Sequence, residues 1–198
     1  MTAAGAATVP PGRLFVISGP SGVGKTVLCA RLIERFAPNM VFSISVTTRP
    51  PRGGEIPGRE YWFWSIEAFE RAIAAGELAE WAQVHGHYYG TPKAFLMEHR
   101  AAGRHVLLNI DVQGGMKIRA AFPDAVLIFL APPSFVVLEE RLRRRNIDAE
   151  ETVRRRLANA RVEMSFQKEY THTVINDTLE EAARELEDLI RMHIQSGS

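Results

Sequence analysis

Apolar positions along the chain fall into short dense runs, separated by segments whose apolar residues recur every three to four positions. RLFVIS (13–18) is apolar without polar alternation, the pattern of a strand buried on both faces. Helical spacing follows from Lys25 to about Phe36, and Pro38 stops that helix. VFSISV (41–46) is a second apolar run. HVLLNID (105–111), AVLIFLA (125–131) and HTVIN (172–176) read as the third, fourth and fifth core strands. Ser134 caps the helix after the fourth run, and Thr178-x-x-Glu181 opens the last helix as a capping box. Apolar strands alternating with helices predict an α/β fold, a parallel five-stranded core sheet covered by helices on both faces.

Two stretches interrupt this alternation. In the first, 45–92, YWFW (61–64) and ELAEWAQV (77–84) read as strands of a small separate sheet. Between them SIEAFERAIAAG (65–76) is an amphipathic helix, with Ser65 to cap its start and Gly76 its end. Thr91-Pro92 predicts another helix start, Thr as N-cap and Pro at the first helical position, closing at Gly103. The second stretch, 138–160, lies in the most basic part of the chain, RLRRRNIDAEETVRRRLANAR (141–161). Asp148-x-x-Glu151 has the capping-box pattern, and Glu140–Arg144 and Glu151–Arg155 have the spacing of exposed helical ion pairs. The expected organisation is one unit, 13–198, with its core at 13–44, 93–137 and 161–198. The inserts are an α+β subdomain at 45–92 and a helical lid at 138–160, and residues 1–12 form a flexible tail.

Composition narrows the classes. The 198 residues include 24 basic and 23 acidic side chains, a formal net charge of +1, so nothing points to a nucleic-acid or membrane-surface partner. The single cysteine, Cys29, allows no internal disulfide and fits a reducing compartment; it reads as a small buried residue on a helix. MTAAGAATVPPG has neither the basic start nor the apolar core of a signal peptide, and AVLIFLAPP is too short to span a bilayer. The expected location is the cytoplasm. The residues leave monomer against homo-oligomer undecided.

The strongest chemical signal is Gly19-Pro20-Ser21-Gly22-Val23-Gly24-Lys25-Thr26, a G-x-x-x-x-G-K-[ST] match placed between an apolar strand and a helix. Glycines let backbone N–H groups turn around an anion, and the helix adds its positive end. Lys25 reaches the β- and γ-phosphates of a nucleoside triphosphate, and the Thr26 hydroxyl ligates Mg²⁺. The loop alone does not distinguish hydrolysis from transfer.

A second site bears on that choice. Arg49 and Arg52 stand three apart in a Pro-stiffened segment, and Arg is the natural fork for a phosphate monoester. Tyr61 can add a hydroxyl. Glu80, a carboxylate in an apolar strand, calls for a pair of donors such as guanine offers at N1–H and N2–H₂. Thr91 can serve as a helix cap and face a ligand as well.

In GPSGVGKT, SVTTRPPR, the E-x-x-G-x-x-Y run Glu55–Tyr61, EWAQVHGHYYGTP, the D-x-Q-G run Asp111–Gly114, FLAPPS and NDT, the chain resembles the guanylate kinase family over nearly its whole length. The resemblance implies a P-loop three-layer fold and transfer of the γ-phosphoryl group of ATP to GMP, with dGMP as a second acceptor. It implies that Arg49, Arg52, Tyr61 and Tyr89 hold the GMP phosphate and that Ser45, Glu80, Thr91 and Asp111 read the guanine. Asn176 stands near the adenine of ATP. Arg145 and Arg156 match the lid arginines brought onto the transferring phosphates, with Arg141 a further candidate. With Lys25 and Arg49, Arg145 and Arg156 make the expected catalytic set. Mg²⁺ accompanies ATP, and a monovalent cation such as K⁺ is left open.

The chain departs from the family at Asn109, where an acidic residue is usual, at Asn146, which replaces a Gly in the lid turn, and at Thr178, where a second Asp is common. The missing charge at Asn109 is expected to reduce turnover modestly. Two rival readings are a non-catalytic module of the same fold and a kinase for another phosphorylated acceptor. The retained Lys25 and Thr26 argue against the first, and Glu80 and Thr91 against the second. A GTPase is disfavoured by the absence of an N-K-x-D-type motif.

Overall fold

A computed structural model describes residues 10–84, 86–144 and 150–196. In chain order the elements are β1 (Leu14–Ser18), α1 (Lys25–Phe36), β2 (Met40–Phe42), β3 (Val46–Thr47), β4 (Trp62–Phe63) and α2 (Ile66–Ala74). They continue with β5 (Leu78–Val84), β6 (His87–Pro92), α3 (Lys93–Ala101), β7 (His105–Asn109), α4 (Val112–Ala121) and β8 (Val126–Ala131). The chain closes with α5 (Phe135–Arg144), α6 (Glu150–Ser165), a 3-10 turn at Gln167–Glu169, β9 (His172–Ile175) and α7 (Leu179–Gln195).

The core sheet runs β2-β7-β1-β8-β9 and is parallel throughout, as the apolar runs predict. Its central strand β1 shows why those runs lack alternation. Phe15 and Ile17 pack with Leu28 and Leu32 of α1 and with Leu186 and Ile190 of α7. Leu14 and Val16 face the other way, onto Leu96 of α3 and Ile118 of α4. Each face has its own core, so Leu14 to Ile17 are all apolar. Cys29 is buried in the first of these cores. Among the described residues, no helix is long and apolar enough to cross a membrane.

The second sheet runs β4-β3-β6-β5 and mixes parallel and antiparallel pairs. Local chemistry accounts for several boundaries. Ser65 accepts from the Ala68 N–H at 3.1 Å to start α2, Ser134 accepts from the Val137 N–H, and Thr178 accepts from the Glu181 N–H. Gly76 follows α2 at φ 66°. The chain is anchored already at Gly12, whose N–H and C=O both pair with Arg100.

Four expectations are corrected. VFSISV is two strands rather than one: Ser43 still bonds to Leu107, but the chain then leaves β2 and joins the other sheet at Val46. HYYGTP, given no element above, is strand β6. Thr91 lies in that strand and caps nothing, because its hydroxyl donates across the sheet to Glu80; Pro92 is the N-cap, and Glu77 C=O accepts the first helical N–H, from Lys93. The helical ion pairs are Glu139–Arg143 and Glu150–Arg154, each one position earlier than expected. The Asp148 cap, Asn146 and Arg145 lie outside the described residues.

At the end of the sheet opposite the phosphate loop, His172 on β9 and His193 on α7 meet Nε2 to Nε2 at 2.7 Å. Phe15 stands edge-on to His193 and His105, and His105 Nδ1 accepts from the Arg13 N–H. One imidazole donates and the other accepts, so the contact survives only while at least one ring is neutral. Burial, then His172 and Arg13, hold the His193 pKa below its ordinary value. A depressed imidazole pKa means that the unfolded chain takes up the proton first, so stability falls as pH drops from about 6.5 through the folded value. Urea unfolding at pH 7.5 and 5.5 checks this: the midpoint drops at the lower pH, and His193→Gln shrinks that drop.

Candidate active site

The phosphate loop leaves the C-terminal end of β1, where β7 and β8 flank it on either side. This is where a doubly wound sheet opens a crevice for ligands. Gly24 sits at φ 99° as the N-cap of α1, a left-handed conformation, and a side chain there would meet the Asn176 amide at 2.6 Å. That amide, on buried Asn176, donates from Nδ2 to Val23 C=O at 2.7 Å. Its Oδ1 is buried and accepts no hydrogen bond from any described residue. Arg141 donates to the carbonyls of Asn176 and Asp177, both at 2.8 Å. These residues, with Val27 and Leu179, line a cleft of about 360 Å³. Arg141 thus lines this cleft together with the phosphate-loop residues Gly22, Val23 and Gly24.

Lys25 folds back onto the loop and donates to Gly19 C=O and, at 3.0 Å, to Pro20 C=O. Burial lowers its pKa, and Glu163 opposes that shift. Glu163 projects from α6 toward the same loop and accepts from the Ser21 N–H; burial raises its pKa and Lys25 pulls it back. Nothing in the spacing of the chain announces Glu163. Thr26 lies exposed on the first turn of α1.

A second cleft, of about 290 Å³, opens between the two sheets. Ser45, Tyr61, Glu80, Tyr89 and Asp111 all line it, together with Asn109. Arg49 borders it: its guanidinium lies 5.5 Å from the Tyr61 ring centroid, and Tyr61 and Tyr89 meet edge to face. Arg49 is buried, donating to Glu55 at 2.8 Å and to Pro50 C=O at 2.8 Å. Glu55 also accepts from the Arg52 N–H. Glu55 therefore sets the Arg49 fork, a part the sequence reading missed; the clue was that a buried guanidinium needs a counter-charge. The Arg52 side chain is exposed rather than gathered into the cleft.

Glu80 lies at the base of this cleft, 7% exposed. Thr91 donates to its Oε1 at 2.6 Å. Burial pushes the Glu80 pKa up to about 7, Thr91 and Lys117 draw it down, and Asp111 pushes it further up. Asp111 also caps α4, its Oδ1 accepting from the Gly114 N–H at 2.8 Å. Asn109 pairs in register with Ile17 of β1, so it lies between the two clefts. On the lid side Arg156 is half-buried on α6, and Arg145 lies outside the described residues.

The fold and the loop define a P-loop nucleotide-binding protein with a second cleft beside the phosphate loop. The sequence model described as Guanylate kinase matches residues 11–193. A guanylate kinase of Synechococcus sp. (strain CC9902) is 48% identical over 176 residues, 89% of this chain and 94% of that protein. A guanylate kinase of Myxococcus xanthus (strain DK1622) is 47% identical over 183 residues, 92% of this chain and 87% of that protein. The crystal structure of guanylate kinase from Anaplasma phagocytophilum superposes with a TM-score of 0.75 at 34% identity, covering 92% of this chain and 86% of that one. The SH3-kinase fragment of tight junction protein 3 shares the fold alone, with a TM-score of 0.51 at 13% identity over 95% of this chain and 60% of that one. The chain belongs to the guanylate kinase family. It is a family of nucleoside monophosphate kinases, whose reaction is phosphoryl transfer from ATP to GMP.

The raised Glu80 pKa has a cost in stability. A carboxyl raised from 4.5 to about 7 contributes stability that is full below the unfolded value and lost as pH climbs through the folded one. The difference corresponds to about 3 kcal/mol. Glu80→Gln keeps an acceptor for Thr91 and removes the buried charge. Its urea midpoint should exceed that of the parent at pH 8, and the gap should close toward pH 4.5.

Proposed function

We propose that this chain transfers the γ-phosphoryl group of ATP to GMP, with the loop cleft taking the donor and the second cleft the acceptor. The observation that carries the reading is Glu80. A buried carboxylate at the base of a cleft, with Arg49, Tyr61 and Tyr89 along one side of it, matches a guanine base joined to a phosphate monoester. The ionised Glu80 accepts from guanine N1–H and N2–H₂. Thr91 fixes its Oε1, Ser45 and Asp111 close the base pocket, and Arg52 swings inward to join Arg49 on the phosphate.

On the donor side, the free Oδ1 of Asn176 accepts from the 6-amino group of adenine, and Arg141 holds the strand end that carries it. The Lys25 ammonium moves from the loop carbonyls to the β- and γ-phosphates. Mg²⁺ fits this site as a companion of the nucleotide. Among the described residues, no group of three His, Cys, Asp or Glu could hold a metal ion. The Thr26 hydroxyl, at the start of α1 beside the loop, would be the protein's ligand to Mg²⁺. When bound, Mg²⁺ neutralises charge on the transferring phosphates. The acceptor phosphate is itself an anionic nucleophile, so no general base is required. Arg156, and Arg145 by resemblance, place positive charge where the equatorial oxygens gather theirs, and lid closure excludes competing water.

Release of ADP from ATP in the presence of GMP, against AMP, CMP and UMP, tests the reading. GMP alone should support turnover. Release without any acceptor, or preference for AMP, would overturn it. Glu80→Ala should raise the GMP KM by about 10–100-fold and leave the ATP KM unchanged, because the base donors lose their partner. In the parent, the GMP KM should fall as pH rises through about 7, as Glu80 ionises. Lys25→Met should act mainly on kcat, lowering it by about 100-fold or more, as expected for a group that stabilises transition-state charge.

A further inference from the structure

We propose that Gly114 is a specificity-determining position, its missing side chain making the room in which the Glu80 carboxylate stands to read the acceptor base. The proposal rests on the reading of Glu80 given above.

Gly114 lies within the first turn of α4 with helical backbone, and it is not among the glycines at positive φ. Its conformation suits any residue, and alanine is the better helix former. A glycine there needs a reason in packing. A Cβ at 114 would stand 2.9 Å from Glu80 Oε2, closer than real Cβ contacts come, and a tight 3.3 Å from Glu80 Cδ. The other near atom is Ile110 Cδ1, also at 3.3 Å.

The nature of the obstacle decides the consequence. Both neighbours are side chains rather than backbone, so the fold can absorb a methyl group. The Glu80 carboxylate cannot absorb it in place. Oε1 is held by Thr91 at 2.6 Å, and the residue is buried on every side but the cleft. Pushing Oε2 away breaks the Thr91 contact or drives the carboxylate into the space of the base. Gly115, next along the helix, is a contrast: a Cβ there would strike the Tyr170 hydroxyl at 2.3 Å, away from the acceptor cleft. Gly90 differs again, because its Cβ would press on Glu80 C=O and the Phe69 ring, a matter of strand packing. Among these glycines, Gly114 alone faces the carboxylate.

Recognition of N1–H and N2–H₂ needs both carboxylate oxygens at fixed positions. A misplacement of about 1 Å can cost about 100-fold. Gly114 is therefore a positioning residue acting through Glu80, and its substitution should spare the donor side.

The test is a double-mutant cycle of the parent, Gly114→Ala, Glu80→Asp and the pair, read as KM and kcat for GMP at pH 8, KM for ATP, and Tm. Gly114→Ala should raise the GMP KM about 10-fold or more, with the ATP KM within about twofold and Tm no lower than the parent's. Glu80→Asp alone should also raise the GMP KM. Its side chain is one methylene shorter and withdraws from the new methyl group, so the double variant should be no worse than the poorer single one. A GMP KM within about twofold of the parent in Gly114→Ala overturns the proposal, as does full multiplication of the two effects. A fall in Tm with both KM values rising together would make the glycine structural and overturn it as well. If Glu80→Asp leaves the GMP KM unchanged, the reading of Glu80 itself fails, and the proposal falls with it.

Discussion

One hydrogen bond organises the donor end of the molecule, from the buried Asn176 amide to the Val23 carbonyl. A loop that must turn its N–H groups toward an anion has few backbone bonds of its own to hold its shape. The strand end beyond β9 supplies the missing restraint, and Arg141 braces that end from α5. A typical bond of this kind is worth only about 1 kcal/mol net, but breaking it strands a buried donor and an acceptor. The loop, the edge of the sheet and the root of the lid therefore move as one. Position 24 suits glycine twice over: its left-handed backbone is open to glycine, and a side chain would occupy the place of this amide.

The acceptor side is built on the opposite principle. The donor loop meets the Lys25 ammonium on its own carbonyls, while the acceptor cleft holds Glu80 as a carboxylate that would be more comfortable neutral. Its burial raises its affinity for a proton, and the Thr91 hydroxyl draws that affinity only partway back. A ligand that brings two N–H groups replaces that proton and favours the ionised form. The fold gives up stability at neutral pH to hold a carboxylate at this position.

Much of this was legible in the chain, for reasons that differ from residue to residue. The core strands were readable because Leu14 to Ser18 are buried on both faces, which erases alternation. Ser65, Ser134 and Thr178 were readable because capping is settled within three residues. Thr91 was not, since its hydroxyl answers to Glu80 across a strand pair rather than to its own helix. The break in 41–46 was invisible because both halves are partly buried and only the partner strand changes. Glu139–Arg143 and Glu140–Arg144 obey the same spacing rule, and only the packing of α5 selects between them. Glu55 and Glu163 were missed because counter-charges are placed by the fold, and sequence distance says nothing of them.

The pairing of Arg49 with Glu55 bears on the order of events. A guanidinium already matched to a carboxylate offers direction and donors, but little net charge. A phosphate dianion entering beside that pair finds the local ledger close to neutral and brings its own excess with it. The Arg52 side chain is exposed outside the cleft, so it can supply the balance only by moving.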